Sequence, residues 1–256
     1  MERLTDASQA VPVLEQNSAL FLDVDGTLIP IKGSPSEAWP DAQQIALLKA
    51  LHQALNGAMA LVSGRPLVDI DRLYHPLCLP AAGQHGVEIR DGAGRRLDQE
   101  HPGDNPLASI RKEVLDHFGD VPGILIEDKG HCLAIHYRLA PEQREAIKIT
   151  LGQLLSDRNP DLVMQAGKMV FELKPAHTDK GLAIQAFMDI APFAGKKPVF
   201  VGDDVTDEDG FMRVNQLGGD TIKVGPGTTQ AKYRLADAES VRNWLQFCLA
   251  HLRNTK

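Results

Sequence analysis

The sequence predicts an α/β fold, a doubly wound parallel sheet interrupted by a smaller α+β module. Two observations carry this. At both ends of the chain, short apolar runs that stop at glycine or aspartate alternate with segments of helical period, the pattern of strands buried on both faces. From about 87 to 174 the pattern changes to polar–apolar alternation mixed with helices, as expected of antiparallel strands covered on one face. The 256 residues are enough for a large core with an insertion.

Residues 19–24 (ALFLDV) read as the first buried strand. A helix is expected over 41–55 (DAQQIALLKALHQAL), with Asp41 as N-cap after Pro40 and Gly57 near its end. Residues 58–62 read as a second strand ending at Ser63-Gly64-Arg65, and 77–82 as a short third ending near Gly83. In the middle, "VEIRDGAGRRL" reads as a hairpin, with Asp91-Gly92 and Gly94 as turn residues. "GILIEDKGHCLAIHYR" reads as a second strand pair turning near Asp128-Lys129-Gly130, and "DLVMQAGKMVFELK" as a third turning near Ala166-Gly167. Helices over about 105–118 and 141–155 separate these pairs. A helix follows over about 180–189, then strands at 198–201 and 221–224 ending at Gly202-Asp203-Asp204 and Gly225. The expected division is a core of 1–86 and 175–256 with an inserted module of 87–174.

Hydrophobic residues make up 43% and charged residues 24%, as in ordinary globular proteins. A formal charge of −7 argues against nucleic acid or an anionic membrane as partner. An anionic substrate must then be held by local cations or a metal. Cys78, Cys132 and Cys248 are widely spaced and form no CxxC pattern, so reduced core thiols are expected rather than a disulfide framework or zinc site. The N-terminal stretch has mixed charge without a long apolar run, and no segment has the length and apolarity of a membrane span. A cytoplasmic location and a monomer acting on a small molecule are the expectations.

Parallel sheets bind ligands beyond the carboxyl ends of their strands, and Asp23/Asp25, Ser63, Gln84-His85-Gly86 and Asp203/Asp204 all fall at such ends. Two carboxylates at the end of a buried strand repel each other unless a cation sits between them. Mg²⁺ is the simplest such cation, with Asp203 or Asp204 as the second protein carboxylate. An aspartate can also attack phosphorus, given charge neutralisation and a nearby acid to protonate the leaving oxygen. Gly26 lets the chain curl so that Asp23 and Asp25 face one phosphate. Thr27 and Ser63 offer hydroxyl donors, and Lys180 at a helix start offers a fixed positive charge.

The series DxDGT, strand-end Ser, Lys, then GDDxxD resembles the haloacid dehalogenase superfamily of phosphatases. The resemblance implies Asp23 as nucleophile and Asp25 as general acid/base, with Asp25 also ligating metal through its carbonyl. It implies Ser63 and Lys180 at the phosphoryl group, Asp203 as a direct Mg²⁺ ligand, and Asp204 and Asp207 as direct or water-mediated ligands. "LVSGRP", "GQHGVE", "GHCLAIHYR", "FELKP", "DKG", "VFVGDDVTDEDGF" and "KVGPGTTQAKYRL" narrow it to the trehalose-6-phosphate phosphatase family, from about residue 19 to 245. That family hydrolyses trehalose 6-phosphate, and its inserted cap closes over the disaccharide. On this resemblance Glu127, Lys129 and Glu172 bind glucose hydroxyls, and Thr27, Gly64, Arg65 and His85 complete the substrate-binding set. Two departures stand out. Val24 replaces a common Leu, and Asp179 stands where Ser is frequent, which touches a contact next to Lys180.

The residues themselves leave several points open. Arg65 suits a loop aspartate, the phosphate edge or a structural salt bridge. His85 suits a structural hydrogen bond or a substrate contact. Glu127, Lys129 and Glu172 are, without the resemblance, ordinary exposed strand residues. His136 and Arg138 lie on a face that serves either a ligand or a domain interface. A phosphatase for another sugar phosphate, a phosphosugar mutase and a non-catalytic sugar-phosphate sensor remain as competing functions.

Overall fold

A computed structural model describes residues 10–30, 39–97, 107–155, 161–167 and 169–255. The chain divides into two compact units, Met1–Asp98 with Asp179–Lys256, and Gln99–Thr178.

The larger unit is built on a seven-stranded sheet. Its strands are β1 (Ser18–Leu22), β2 (Met59–Val62), β3 (Ala81–Gly83), β4 (Glu88–Arg90), β9 (Lys197–Gly202), β10 (Asp220–Val224) and β11 (Tyr233–Leu235). They lie in the order β11-β10-β9-β1-β2-β3-β4, all parallel except β4, which runs antiparallel to β3. Successive β1 residues feed opposite cores. Leu20 and Leu22 join the cluster shared with α1 (Ala42–Ala54), α2 (Leu67–Tyr74) and α7 (Ala238–Asn254). Ala19 and Phe21 join the cluster shared with α5 (Lys180–Met188) and α6 (Glu208–Gln216). Phe21 packs against Phe187 and Phe193, with ring centroids 6.0 and 5.5 Å away. Each such ring contributes about 1.5–3 kcal/mol by leaving water. Among the described residues, helices therefore cover both faces of the sheet. Strand order reverses direction at β1, with β2 on one side and β9 on the other, which sets a crevice beyond the carboxyl ends of these strands.

The smaller unit has a four-stranded antiparallel sheet, β5 (Leu125–Asp128), β6 (Leu133–His136), β8 (Val170–Pro175) and β7 (Leu162–Gly167), in that order. Its helices α3 (Leu107–Phe118) and α4 (Arg144–Leu155) bury Ile110, Val114, Ile147 and Leu151 against Leu133, Ile135, Phe171 and Leu173. Alternation then assigns Glu127, Ala134, Glu172 and Gln165 to the opposite face.

Helix α1 starts where expected, with the Asp41 carboxylate accepting from the Gln44 amide at 2.7 Å. Four expectations need correction. The third strand begins at Ala81 rather than 77, and Pro80, which has no N–H, stands just before it. The hairpin at 87–97 belongs to the large unit. Its first strand, β4, extends the sheet at β3, while the return strand makes a single bridge, Arg90 to Arg96. An isolated two-stranded ribbon is marginal, and the β3 edge supplies the missing partner. The junctions accordingly fall after Asp98 and after Thr178, not after 86 and 174. At the second junction Lys174 Nζ donates to the Thr178 carbonyl at 2.8 Å and keeps that stretch with the small unit. Strand β11 went unread because its three residues lie among glycines and charges. Cys132 and Cys248 are buried thiols, as expected, but Cys78 is exposed.

Candidate active site

The ends of β1 and β9 and the start of α5 bring one ammonium between two carboxylates. Lys180 Nζ donates to Asp23 Oδ1 at 2.7 Å and to Asp207 Oδ1 at 2.6 Å, and all three residues are buried. The other oxygen of Asp207 accepts the main-chain N–H groups of Asp203 and Asp204, each at 2.8 Å. Asp207 thus spends both oxygens as the knot of the loop after β9. Asp204 completes a capping box with it, which takes Asp204's carboxylate to a helix N-terminus and out of the acidic cluster. Lys180 opens α5, and Asp179 caps that helix by accepting from the Leu182 amide at 2.7 Å. Aspartate is itself a favoured N-cap, so Asp179 in place of the frequent Ser leaves Lys180 at the helix start.

Two glycines make room for this crowding. A Cβ on Gly202 would lie 2.4 Å from Asp207 Cγ, and one on Gly26 would lie 2.0 Å from Asp203 Oδ2. Gly26 also has φ +83°, a left-handed turn that side chains resist. The left-handed turn at Gly26 is present, and the Asp203 carboxylate lies against it, just after Asp25.

Asp25 points elsewhere than Asp23. Arg65 grips it bidentately, Nε to Oδ2 and a terminal nitrogen to Oδ1, both at 2.6 Å. For Arg65 the structure shows a salt bridge to the loop aspartate. Ser63 is buried at the end of β2, and its Oγ accepts from the Arg65 amide at 3.1 Å. The Gln84–Gly86 turn is bolted to this loop, with Gln84 N–H to the Arg65 carbonyl at 2.9 Å and His85 N–H to the Ser63 carbonyl at 3.0 Å. His85 is buried in a left-handed conformation, and its ring occupies the space a Cβ on Gly64 would need, 2.7 Å from Nε2. His85 and Gly64 therefore shape the loop that carries Ser63 and Arg65. Thr27 is fully buried, and its Oγ1 has no hydrogen-bond partner among the described residues.

Two contributors lie outside the expected set. Lys223, buried in β10, donates to the Asp203 carbonyl. The signal was available, since a lysine inside the buried run TIKV needs a partner. Glu88 is another, its carboxylate accepting from the Leu67 amide at 2.8 Å at the start of α2.

Carboxylate oxygens of Asp23, Asp203 and Asp207 can all lie within 4.8 Å of one another, a set able to hold a metal ion. The electrostatics fit such an ion. Burial pushes the Asp23 carboxyl well above its ordinary range, Lys180 works against this, and Asp207 and Asp203 add to it. Burial and the Asp207 and Asp204 charges push Asp203 up to about 7. Burial alone would discharge Lys180, but Asp207 and Asp23 outweigh it and hold the ammonium above the ordinary lysine value. Three carboxylates around one ammonium leave negative charge in excess, and hard oxygen donors suit a hard divalent cation.

A stability test follows. Asp203, normally near 3.8 and raised to about 7, stabilises the metal-free fold fully below about pH 3.8 and loses that contribution as pH rises through about 7. In chelator, the melting temperature is expected to fall between pH 5.5 and 8.5, and Asp203→Asn to flatten that fall. A slope unchanged by the substitution would show that Asp203 is not the group responsible.

A model of the trehalose-phosphatase family matches residues 21–239 of this sequence. The chain belongs to the trehalose-phosphatase family. It is 41% identical to the trehalose-6-phosphate phosphatase of Escherichia coli strain K12 over 253 residues, 99% of this chain and 94% of that protein. A probable trehalose-phosphate phosphatase of Sinorhizobium fredii is 40% identical over 228 residues, 88% of this chain and 85% of that one. A crystal structure of a trehalose-6-phosphate phosphatase related protein superposes with a TM-score of 0.77 at 27% identity, covering 93% of this chain and 99% of the other. A haloalkanoate dehalogenase superfamily phosphatase from Bacteroides thetaiotaomicron, at 15% identity and TM-score 0.65, covers 96% of this chain and 98% of the other and shares the fold. The sequence-derived expectation of family and fold class is met. On the face of the small sheet away from its helices, Lys129 Nζ lies 2.8 Å from Glu172 Oε1 and 3.9 Å from Glu127 Oε2, and His136 Nε2 lies 3.0 Å from Glu127 Oε2. His136 thus meets the Glu127 carboxylate within its own sheet. Among the described residues, no helix is long and apolar enough to cross a membrane.

Proposed function

We propose that the chain is a Mg²⁺-dependent phosphatase that hydrolyses trehalose 6-phosphate to trehalose and phosphate. The buried Asp23–Lys180–Asp207 bridge beside Asp203 at the carboxyl edge of the sheet carries this reading. The relatives named for trehalose-6-phosphate hydrolysis support the substrate.

In this reading an Asp23 oxygen attacks phosphorus and the P–O bond to the sugar breaks. Asp25 delivers a proton to the leaving oxygen, freeing trehalose and leaving an aspartyl-phosphate. Asp25, now a base, takes a proton from water as the water oxygen attacks phosphorus, and Asp23 is released with phosphate. Arg65 engages both Asp25 oxygens in this structure, so Asp25 carries the proton for the leaving oxygen only once Arg65 has released one of them. Lys180 keeps Asp23 aimed and, with Ser63, carries part of the phosphoryl charge. Mg²⁺ bound at Asp23 and Asp203, with the Asp25 carbonyl, would neutralise charge on nucleophile and phosphate. Asp207, engaged through both oxygens, acts on the metal through the loop it ties, and Asp204 through water. Glu127, Lys129 and Glu172 read the sugar hydroxyls, with acceptor, donor and acceptor on one sheet face. The free cysteines suit a reducing cytoplasm.

Phosphate release from trehalose 6-phosphate, sucrose 6-phosphate, glucose 6-phosphate and mannose 6-phosphate, each with Mg²⁺ and with chelator, tests the proposal. Preference for trehalose 6-phosphate of at least about 100-fold in kcat/KM, abolished by chelator, is expected. Comparable turnover of all four would overturn the substrate assignment. Turnover unaffected by chelator would overturn the metal.

A further inference from the structure

The turn that carries Lys129 is held from a helix. Strands β5 and β6 meet there, with the Lys129 N–H donating to the Cys132 carbonyl at 2.9 Å and the Gly130 N–H to the Asp128 carboxylate at 2.8 Å. Gly130 has φ +83°, so the chain reverses just after Lys129. Arg111 reaches this turn from α3, on which Ile110 and Val114 are buried in the core of the small unit. One terminal nitrogen of Arg111 donates to Asp128 Oδ1 at 3.0 Å and to the Gly130 carbonyl at 3.1 Å. Its Nε lies 2.8 Å from Asp128 Oδ2, an ion-pair contact not aligned as a hydrogen bond. One planar guanidinium thus holds the residues on both sides of Lys129. With 28% of the Arg111 side chain and 46% of the Asp128 side chain accessible, the pair adds little to stability. Its consequence is where it points Lys129, whose ammonium meets Glu172 at 2.8 Å. A lysine side chain is costly to order, so a fixed starting direction lowers what a ligand must supply to hold it.

We infer that Arg111 is a positioning residue for sugar selection, clamping the Asp128–Gly130 turn so that Lys129 is presented to a sugar hydroxyl together with Glu172. This rests on the proposed function, in which Lys129 and Glu172 read the sugar, and deepens it. The nitrogens of Arg111 are spent on the turn, so it acts through Lys129 and takes no part in phosphoryl transfer. Two kinds of action can be told apart here. Were Arg111 to act by its charge on an anionic substrate, removing it and removing the charge of Asp128 would have opposite effects. As a clamp, both removals loosen the same lysine.

The test is steady-state kinetics of wild type, Arg111→Gln and Asp128→Asn on trehalose 6-phosphate and on p-nitrophenyl phosphate, each substitution also made in a Lys129→Met background. Both single substitutions are expected to raise KM for trehalose 6-phosphate about fivefold, with kcat within twofold and kcat/KM for p-nitrophenyl phosphate unchanged. In the Lys129→Met background each is expected to change kcat/KM for trehalose 6-phosphate by less than about 1.5-fold, because the residue it acts through is gone. Unchanged KM in both single variants would overturn the inference. Shifts in opposite directions would overturn it in favour of a charge effect, and equal losses on both substrates in favour of general damage to the fold. A fivefold effect that persists without Lys129 would show that Arg111 does not act through it. Wild-type enzyme that cleaves p-nitrophenyl phosphate but not trehalose 6-phosphate would overturn the proposed function and this inference with it.

Discussion

Asp23→Asn is expected to lower kcat for phosphate release by at least about 10⁴-fold, the scale seen when a covalent nucleophile is removed. The carboxamide matches the carboxylate in shape and can still accept from Lys180, so the loss would report chemistry rather than collapse. Stability should move the other way. Asp23 is raised by burial and by Asp207 and Asp203, so removing its charge relieves a crowded acidic cluster in the metal-free state. The melting temperature in chelator is expected to hold or rise, and the gain on adding Mg²⁺ to shrink. Retention of more than a tenth of the activity would remove Asp23 from the nucleophile's role. A large fall in melting temperature in chelator would show that Asp23 is held mainly for structure.

Lys180→Met is the second large effect, and here fold and chemistry fail together. Lys180 is the ammonium shared by two buried carboxylates at 2.7 and 2.6 Å. Methionine fills much of the volume but leaves Asp23 and Asp207 buried without a cation. Breaking a buried pair by removing one partner costs about 3–5 kcal/mol. At roughly 2–4 °C per kcal/mol for a chain of this size, a fall of about 10 °C is expected. The deficit should narrow as pH drops from 8 to 5, because stranded carboxylates then take up protons. Thermal melts across that range, with phosphate release alongside, check both parts. A variant as stable as wild type at pH 8 would mean that the carboxylates are compensated by something other than Lys180.

The chemistry-bearing part of this protein is legible in one dimension because its constraints are local. A parallel strand buried on both faces must be apolar, so it shows as a run such as ALFL, and its abrupt end on Asp23 marks a place where charge is wanted. Gly26 and Gly202 had to be glycine because carboxylates occupy the space of their side chains. The hairpin at 87–97 has the local pattern of any hairpin, and only pairing with β3 decides which sheet it joins. The partners of Lys223 and Gln165 are illegible in the sequence for a related reason. A lysine or glutamine in an alternating strand reads the same whether it meets solvent, a carbonyl 20 residues away or nothing at all.

The sequence by itself determined the fold class, the family and the order of the acidic, hydroxyl and basic residues along the chain. Each of these depends on residue type and on spacing within one strand end or one turn. Tertiary structure decided which charges meet. Lys180 ties Asp23 to Asp207 across 157 and 27 residues of chain, and Arg65 takes Asp25 across 40. Asp203 lies on the Gly26 turn, while Asp204 is turned into a helix cap. Such pairings arise because a parallel sheet brings distant strand ends to one edge and excludes water there. Charge that would be indifferent in solvent must then find its partner, and which partner it finds is a matter of distance in space rather than along the chain.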